Sequence, residues 1–525
     1  MTERTLAATG TSWALACPHH LATDAGAEAF RAGGNAIDAA LAAAVTLAVV
    51  YPQACGVGGD LFALVQHPEG QITAVNASGA APMGVDVEGL RRAATDIPRF
   101  GPHAVTVPGA VSGWGELHHL GARLDFPRAF ERAIALAQEG VPVARSVARS
   151  AAGKAERLLA DPGIAAVFFR DGTPLTEGDV LLQPALAATL CAIADDGPKA
   201  LYGGEVGERF ATGLRALGSP MVVEDLVRHK VELMPPLSGR YRDLDVTVVP
   251  PNSPGFVMLE ILAAVERLGI DPDPMGPDAP SFALAVRAAG LDRDRHNADP
   301  HFTRVPVGTL LDDGHIAALC DAVRNGALEP AGPYAGGDTI ALVAADAEGW
   351  AVSLIQSMSD GFGAGILEPA TGIIAHNRGA LFSLDPSSPN GLAGGKRSAH
   401  TLMPVLVHRA DRLVAVTGTM GGFAQPQINA MNLIRAFDLG LDPAAAIDAP
   451  RWLVGGVDRQ TERHFVDAEA RVPEAVTGSL AAAGFDIHPL SDRDEATGQA
   501  HVIVAGGGAF EAATDPRADG GAAAG

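Results

Sequence analysis

Cysteine is scarce in this chain, and the few cysteines are far apart. Four occur among 525 residues, with none of the close spacings typical of metal sites: Cys17, Cys55, Cys191 and Cys320. A small disulfide-stapled domain would need a denser cysteine framework. The pattern therefore favours buried thiols in a reducing compartment, and we expect neither a metal ion nor another cofactor.

Basic residues are also few. The chain has 38 Lys and Arg against 61 Asp and Glu, which gives a formal net charge of −23. It contains no run of Lys or Arg that could neutralise a series of phosphates. The charge balance therefore argues against nucleic acid as a partner.

Long apolar runs and targeting signals are missing as well. The longest apolar run, "AIDAALAAAVTLAVVYP", contains Asp38 and stops at Pro52, so it is too short for a membrane span. The N-terminal stretch "MTERTLAATGTSWALACPHH" has one early arginine and no sustained apolar core before a small-residue cleavage site. We expect a buried helix, no membrane partner and a cytoplasmic location.

The composition that remains is that of a globular protein. Hydrophobic residues make up 47% and charged residues 19% of the chain, which permits a large buried core and argues against global disorder. A chain of 525 residues is long for one core, although some layered folds reach this length as a single unit. Both one unit and several domains remain open at this point.

The first half of the sequence is mainly helical in pattern. "HLATDAGAEAFRAGGNAIDAALAAAVTLAVV" predicts two helices, with Thr23 as the N-cap of the first, Gly33 and Gly34 at its end, and Asn35 starting the second. "GVGGDLFALVQHPEGQITAVNASGAAP" then predicts a glycine-rich turn and two strands joined by "HPEGQ". Helical patterns dominate from about residue 110 to 235.

The second half is richer in strands. From Thr339 onward, runs such as "TIALVAAD", "WAVSLIQS", "TLMPVLVH" and "RLVAVTG" follow at short spacing, before the helical "QPQINAMNLIRAFDLG" and "DPAAAIDA". Helices early and an antiparallel sheet later in the chain predict an α+β layered sandwich. The small, polar tail "DPRADGGAAAG" is expected to be poorly ordered in part.

A hairpin is predicted within "GGDTIALVAADAEGWAVSLIQS", which begins at Gly336. A three-residue loop with Gly349 in the left-handed region sets Asp346 opposite Trp350 and, further out, Thr339 opposite Ser357. A two-residue loop would shift the register by one, and either register brings the two hydroxyls close together. Threonine is also an ordinary strand residue, so a nucleophile needs a base, an oxyanion hole and a substrate clamp nearby.

Other polar and glycine-rich segments are candidates for those parts. In "TGTMGGFAQPQ", Gly421 and Gly422 stand between a strand and a helix, where adjacent amides can point at one oxyanion, although a tight turn would use the same residues. "HNRGALF" and "GKRSAHTLMP" supply further polar candidates, each of which alone is as compatible with a surface or core polar group: Asn377, Arg378, Lys396, Arg397, His400 and Thr401.

Taken together, these segments resemble the γ-glutamyltranspeptidase family, a branch of the N-terminal-nucleophile hydrolases. The resemblance covers nearly the whole chain and rests on "PHHLATDAGAEAFRAGGNAIDAALAAAVTLAVVYPQACGVGGD", "AVTVPGAVSGW", "GDT", "DAEGWAVSLIQS", "GFGAGI", "GKRSAHTLMP", "MGG" and "DPRADGG", in this order. It implies a four-layer αββα sandwich, made as one precursor that cleaves itself before a threonine. The match falls on the Asp338–Thr339 bond, giving a large subunit 1–338 and a small subunit 339–525 that together form one αββα unit.

The resemblance also implies the chemistry of processing. The Thr339 hydroxyl would attack the carbonyl carbon of Asp338, and water would release the ester that forms. The freed Thr339 amine is then the general base beside its own hydroxyl, so no histidine partner is needed.

Further roles follow from matching positions in the family. Ser357 matches the hydroxyl that hydrogen-bonds the nucleophile, and Gly421 and Gly422 match the oxyanion glycines. Substrate-binding positions are implied at residues near those that hold the glutamyl head group in transpeptidases: Ser359, Arg378, His400 and Thr401. Here Ser359 replaces an asparagine near the α-amino group, while His400 and Thr401 replace the serines that help to hold the α-carboxylate.

Two departures from the family bear on the substrate. Val87 stands where transpeptidases have the arginine that holds the α-carboxylate, and Leu381 stands where they have the aspartate that holds the α-ammonium. Two lost charge-assisted contacts of about 1.5–3 kcal/mol each would weaken binding of an α-amino-acid head group by several orders of magnitude. What remains resembles the acylase and oxamate amidohydrolase branch, in which Arg378 could bind a substrate carboxylate.

The predicted function is therefore a self-processing N-terminal-threonine amidohydrolase that cleaves a small acid amide, with oxamate as the leading candidate. Its predicted partners are this small-molecule amide, the two subunits of its own precursor and, as a further option, copies of itself. Two alternatives stay open. One is γ-glutamyl hydrolysis or transfer on glutathione-like substrates, and the other is an unprocessed, inactive binding member of the family.

Overall fold

The computed structural model of the chain describes residues 5–326, 337–457 and 463–525. Gly336 and residues 1–4 of the N-terminal stretch lie outside the described residues. Within them, two seven-stranded antiparallel sheets stack face to face, and helices cover the outer face of each. The predicted four-layer αββα sandwich is confirmed.

The sheet that carries the predicted hairpin is called the hairpin sheet here. Its strands are, in spatial order, Gly521–Ala524, Trp13–Cys17, Asp338–Asp346, Ala351–Ser359, Asp60–Gln66, Ile72–Ala77 and Glu232–Met234. The second sheet has the order Ala7–Gly10, Ala509–Thr514, Gln499–Gly506, Arg412–Met420, Val405–Arg409, Leu244–Val248 and Leu237–Tyr241. Both sheets thus combine strands from before and after the predicted processing bond.

Period-two alternation on the strand Asp338–Asp346 explains the layering. Ile340 and Leu342 face the helical layer, whereas Ala341 and Val343 face the second sheet. The core between the sheets is rich in alanine, which lets the two sheets approach closely. All nine strand residues except Asp338 are buried, so this strand lies at the centre of the molecule.

Helices form the two outer layers. Those packed on or near the hairpin sheet are His20–Arg31, Ala36–Val50, Val87–Ala93, Ala110–His119, Glu131–Glu139, Arg145–Gly153, Ala155–Leu159, Pro162–Phe168, Pro184–Asp196, Glu205–Ala216 and Val223–Arg228. The others, which follow the strand Leu244–Val248 in the chain, are Gly255–Leu268, Ala279–His296, Val307–Leu310, Asp313–Asn325, Gln425–Phe437, Pro443–Asp448 and Glu474–Ala482. None of the helices in the described part of the chain is both long and apolar enough to cross a bilayer.

Smaller elements complete the fold. A three-stranded sheet consists of Trp452–Val457, His464–Glu469 and Asp486–Leu490, and three two-stranded pairs join Val141–Pro142 to Val180–Leu181, Phe169–Arg170 to Thr173–Pro174, and Leu367–Glu368 to Ile373–Ile374. Short 3-10 turns occur at Pro102–Ala104, Phe126–Phe130, Gly197–Ala200, Arg378–Leu381, Gly422–Ala424 and Glu495–Thr497.

Most local predictions for the first half are confirmed. The second predicted helix begins after Asn35, whose side chain accepts from the Asp38 amide while the Asp38 carboxylate accepts from the Asn35 amide. The prediction of Thr23 as an N-cap is wrong: the first helix begins at His20, and the side chain of His19 accepts from the Leu21 amide. The Thr23 hydroxyl instead donates to the Gly521 carbonyl 2.9 Å away, a contact that local sequence does not reveal.

The expectation of a partly disordered tail is also wrong. Gly521–Ala524 forms an edge strand that pairs with Trp13–Cys17. Just before it, the Arg517 guanidinium is fully buried and donates to both Glu469 carboxylate oxygens at 2.6 Å and to Asp515 Oδ1 at 3.1 Å. A buried ion-pair network therefore anchors a segment whose composition alone suggested disorder.

Candidate active site

The hairpin of the central strands has the predicted register. The Asp346 amide donates to the Trp350 carbonyl at 3.0 Å, and Gly349 has φ +100°, as the three-residue loop requires. Thr339 lies directly opposite Ser357, and the register slips by one residue between Thr339 and Asp338. The loop length thus fixes which two hydroxyls meet at the open end of this hairpin, called the inner hairpin below.

Ser357 is the centre of a small hydrogen-bond network. Its hydroxyl oxygen lies 3.0 Å from Thr339 Oγ1, and the hydroxyl group donates to the Asp338 carbonyl oxygen at 2.9 Å. The same oxygen accepts from the Ser359 amide at 2.8 Å and from Arg378 Nη2 at 3.0 Å. One hydroxyl therefore contacts both the candidate nucleophile and the carbonyl of the predicted processing bond.

Arg378 points into this site from the turn Arg378–Leu381. Its side chain is 1% exposed, and its second nitrogen, Nη1, donates to Thr401 Oγ1 at 3.1 Å. No carboxylate lies within ion-pair distance of the guanidinium in the described part of the chain, and its Nε has no hydrogen-bond partner there. Burial lowers the pKa of Arg378 to about 10, so the group stays cationic at neutral pH.

A buried acid and two histidines lie behind Arg378. Asp60 Oδ2 is 3.2 Å from His400 Nε2 and 3.6 Å from His376 Nδ1. Because His400 Nδ1 accepts from the amides of Thr401 and Leu402, Nε2 carries the proton and donates to Asp60. Burial, together with the positive charge of Arg378, lowers the pKa of His400 to about 3, so this imidazole is neutral.

Asp60 is the negative counterpart of this cluster. Burial alone would raise its pKa, but His376, His400 and Arg378 outweigh that effect, so the pKa is lowered and the carboxylate stays ionised. Asp60 Oδ1 also accepts from the Gly79 amide at 2.9 Å. The position of His400 is thus fixed from both sides, and His400 in turn orients the backbone that carries Thr401.

The two candidate oxyanion glycines form a turn beside the predicted processing bond. Gly421 has φ +149° and Gly422 φ +54°, values that side chains disfavour. A Cβ built on Gly337 would lie 3.4 Å from Gly422 Cα and 3.8 Å from its nitrogen. The structure thus brings this turn next to the segment that precedes Thr339.

Asp338, the residue before the candidate nucleophile, lies beside Lys154. Its carboxylate Oδ2 is 3.5 Å from Lys154 Nζ, and partial burial, only partly offset by Lys154, raises its pKa. Asp360, held by Arg99 and Asn377, lies nearby and adds to the raised pKa. Thr339 itself is 1% exposed, so the candidate nucleophile is buried in this structure.

Lys396 and Arg397 are not brought into this network, and Ser359 joins it through its backbone amide. Lys396 donates to the Pro389 carbonyl at 2.7 Å, and Arg397 pairs with Glu232. Ser359 contributes its amide to Ser357 and has φ +75°, a left-handed value uncommon for serine. Val87 begins a helix and packs in a small apolar cluster.

Sequence reasoning missed Asp60, His376 and Lys154. Asp60 had a detectable signal, since it is an acidic residue between "GVGG" and the apolar run "LFALV". His376 stands two residues before Arg378 in the same motif. Lys154 gave no sequence signal, because it lies 184 residues before the Asp338 side chain that it approaches.

This arrangement is suited to acyl transfer. It combines a threonine hydroxyl at hydrogen-bond distance from a second hydroxyl, a glycine turn with positive φ angles, and a buried guanidinium that can bind an anion. The same parts lie around the carbonyl of Asp338, the group that the hydroxyl would attack during self-cleavage.

The chain is similar to known proteins over nearly its whole length. The chain is 38% identical over 514 residues to the oxamate amidohydrolase proenzyme of Klebsiella pneumoniae, covering 96% of this chain and 97% of that protein. It is 35% identical over 518 residues to the glutathione hydrolase-like YwrD proenzyme of Bacillus subtilis, covering 98% of each.

A solved structure shows the same architecture. Cephalosporin acylase from Bacillus halodurans matches with a TM-score of 0.91 at 32% identity, covering 100% of this chain and 98% of that chain. The family model for γ-glutamyltranspeptidase matches residues 22–525. This chain therefore belongs to the γ-glutamyltranspeptidase family and is a hydrolase of carbon–nitrogen bonds.

Proposed function

We propose that the chain is a self-processing amidohydrolase in which Thr339 attacks the amide of a small carboxylate-bearing acid. The observation that carries this proposal is the environment of Arg378. A buried guanidinium with no carboxylate at ion-pair distance among the described residues is costly unless an anion joins it, and this one lies 3.0 Å from the hydroxyl that contacts Thr339. A substrate carboxylate is the anion that completes the site.

Self-processing comes first. The Thr339 hydroxyl attacks the Asp338 carbonyl carbon, the carbonyl oxygen receives the Ser357 hydrogen bond, and the Asp338–Thr339 C–N bond breaks to give an ester. Water then hydrolyses the ester, leaving a carboxylate on Asp338 and a free amine on Thr339. The geometry around Ser357 and the word "proenzyme" in the names of both relatives support this step.

The mature reaction uses the same groups. The Thr339 amine takes the proton of its own hydroxyl, the oxygen attacks the substrate carbonyl, and the amides at Gly421 and Gly422 stabilise the oxyanion. The protonated amine gives its proton to the leaving nitrogen. Water then releases the acid from the acyl-enzyme and regenerates Thr339.

The position of Arg378 favours oxamate among the acid amides. In oxamate the carboxylate is bonded directly to the reacting carbonyl, so an anion held by Arg378 places that carbonyl near Thr339. The oxamate amidohydrolase relative supports the same choice.

A longer acid would meet Lys154 instead. In the precursor, Asp338 supplies the acyl side of the bond, and its carboxylate, two carbons from the reacting carbonyl, lies near Lys154 Nζ. Succinamate has the same carbon spacing. Oxamate remains the preferred candidate because Lys154 is 30% exposed, whereas Arg378 is buried beside the nucleophile.

The γ-glutamyl alternative has the support of the Bacillus subtilis relative, whose name includes glutathione hydrolase. It needs a site for a zwitterionic head group, however, and Val87 and Leu381 provide no charge at the two family positions.

An amide panel tests the proposal. Hydrolysis of oxamate, malonamate, succinamate and neutral acetamide is measured by ammonia release, and hydrolysis of γ-glutamyl-p-nitroanilide by the colour of the released p-nitroaniline. Oxamate or a homologue should be the best substrate, and preference for acetamide or the γ-glutamyl compound would overturn the assignment.

A further inference from the structure

Three helices that cover the second sheet bring together three side chains of the kind that bind metal ions, at a place separate from the inner hairpin. They are Glu260 on Gly255–Leu268, Asp292 on Ala279–His296, and His315 on Asp313–Asn325. His315 Nε2 lies 2.8 Å from Asp292 Oδ2 and 3.7 Å from Glu260 Oε1. One ligand atom from each residue lies within 4.8 Å of the others.

Glu260 is the unusual member of this cluster. Its side chain is 0% exposed, and neither carboxylate oxygen has a hydrogen-bond partner in the described part of the chain. Burial, reinforced by the nearby Asp292, raises the pKa of Glu260 well above its ordinary value. A buried carboxylate without a hydrogen bond costs free energy, and neither Asp292 nor His315 offsets this cost by a hydrogen bond to Glu260.

The surroundings of Glu260 do not supply a strong cation. His315 is the one basic group within 4.0 Å of this carboxylate among the described residues. On the other side the three helices pack through an apolar cluster that includes Ala264, Ala288 and Leu319. The small alanines let the helices approach, which is how three side chains from distant parts of the chain converge.

We propose that Glu260, Asp292 and His315 bind a divalent transition-metal cation of the Zn²⁺ class. One imidazole nitrogen and two carboxylate oxygens are ligands that Zn²⁺ accepts, whereas Mg²⁺ and Ca²⁺ prefer oxygen ligands alone. Tetrahedral metal–ligand bonds of about 2.0–2.2 Å put neighbouring ligand atoms roughly 3.3–3.6 Å apart. Here His315 Nε2 is 2.8 Å from Asp292 and 3.7 Å from Glu260, and all three ligand atoms lie within 4.8 Å of one another. Small side-chain rotations would bring the three atoms to that spacing.

The site has an entry path and an open position. His315 is 27% exposed, so a cation can enter from its side and keep a water molecule as a further ligand. His315 Nε2 now donates its proton to Asp292 Oδ2, so binding a cation at this nitrogen moves that proton to Nδ1, the other tautomer of the neutral ring. A bound cation would join three helices that are otherwise held by packing, which gives the site a structural role independent of the proposed hydrolysis.

The test is calorimetric titration of the full-length, chelator-treated protein with ZnCl₂, with MgCl₂ as the comparison. We expect one saturable Zn²⁺ site per chain, no comparable Mg²⁺ binding, and a rise in Tm of about 2 °C at 100 times the dissociation constant. Glu260→Gln and His315→Gln should each weaken binding at least 10-fold. Asp313→Asn, an exposed acid two residues from His315, is the matched control and should bind as the wild type does.

Two results would overturn the proposal. One is the absence of a saturable site in the wild type. The other is Zn²⁺ binding that persists in both substituted proteins, since it would then come from surface histidines. His315 is partly exposed, so its replacement should be tolerated even if Glu260→Gln fails to fold, and the question remains decidable from that variant alone.

Discussion

Thr339 and Ser357 face each other across the open end of the inner hairpin, with 3.0 Å between their hydroxyl oxygens. The Ser357 hydroxyl also donates to the carbonyl oxygen of Asp338. A single side chain therefore holds the attacking group and the carbonyl it would attack, before any substrate is present. This relationship makes self-cleavage the first property to test.

Self-cleavage should divide the chain at Asp338–Thr339. The purified wild-type protein should give two fragments on a denaturing gel, and the smaller should begin Thr-Ile-Ala-Leu on N-terminal sequencing. Thr339→Ala should remain one chain because the attacking hydroxyl is gone, whereas Thr339→Ser keeps a hydroxyl and should still be cleaved. A wild-type protein that stays full length yet hydrolyses amides would contradict the mechanism.

Arg378 should determine the affinity for anionic substrates. Arg378→Met should raise the KM for oxamate or its homologues by about 10- to 100-fold, since a charge-assisted contact contributes about 1.5–3 kcal/mol. Arg378→Lys keeps the positive charge but not the planar guanidinium, so its KM should lie between that of the wild type and that of Arg378→Met. In Arg378→Met the rate of self-cleavage should fall by a smaller factor than the KM for oxamate rises, because Ser357 retains its contacts with Asp338 and Ser359. Equal losses for oxamate and acetamide would show that Arg378 has no role in recognising the carboxylate.

The glycine turn should be needed for turnover. In Gly422→Val the side chain disfavours φ +54° and disturbs the amide beside Gly337, so kcat should fall by about 10²–10³ in the processed enzyme. Gly440→Val is the matched control, because Gly440 has φ +67° but its Cβ would meet open space. An unchanged kcat in a folded, processed Gly422 variant would exclude this turn as the oxyanion hole.

The carbon-chain length of the preferred acid amide should reveal whether Arg378 or Lys154 binds its carboxylate. If Arg378 holds the carboxylate, kcat/KM should be highest for oxamate, and Lys154→Met should change it little. If Lys154 holds it, as it holds Asp338 in the precursor, succinamate should be preferred and Lys154→Met should remove that preference. γ-Glutamyl-p-nitroanilide should be poor in both cases, because Val87 and Leu381 cannot pair its head group. Efficient γ-glutamyl turnover would return the enzyme to the transpeptidase branch.

Acid should destabilise the fold through neutral, buried histidines such as His501. Burial lowers the pKa of His501 from 6.5 to about 4, and its Nδ1 is hydrogen-bonded to the Thr514 hydroxyl. The unfolded chain binds the proton near pH 6.5 and the folded chain only near pH 4. The contribution of the neutral His501 to the free energy of unfolding is therefore fully present above pH 6.5. It decreases by about 1.4 kcal/mol per pH unit as the pH falls from 6.5 to about 4.

Thermal unfolding between pH 7.5 and 4.5 measures this effect. His501→Asn removes the titrating group, so its Tm should fall less steeply with acid than that of the wild type. His119→Asn, at an exposed helix end, should follow the wild-type curve. Parallel curves for the wild type and the His501 variant would show that this histidine does not contribute to acid sensitivity.

Local physical rules were enough to predict much of the scaffold. The three-residue loop and the alternation of the strands predicted the Thr339–Ser357 pairing, and Asn35 marked the start of a buried helix. The connection "HPEGQ" occupies the five residues between two strands, as expected. These features depend on residues close together in the chain, so their sequence patterns contain the necessary information.

The arrangement of charges depended on the tertiary structure. Asp60 and His400 are 340 residues apart, and Lys154 reaches Asp338 from the junction of two helices far away in the chain. The tail was predicted from its composition to be poorly ordered in part, yet the pairing of Gly521–Ala524 with Trp13–Cys17 and the burial of Arg517 order it. The sequence by itself determined the family, the layered fold and the candidate nucleophile, because these follow from motifs and short-range periodicity. The packing of sheets and helices far apart in the chain decided which buried charges meet and which have no ion-pair partner in the part of the chain that the structure describes, since burial sets the free energy of a charge.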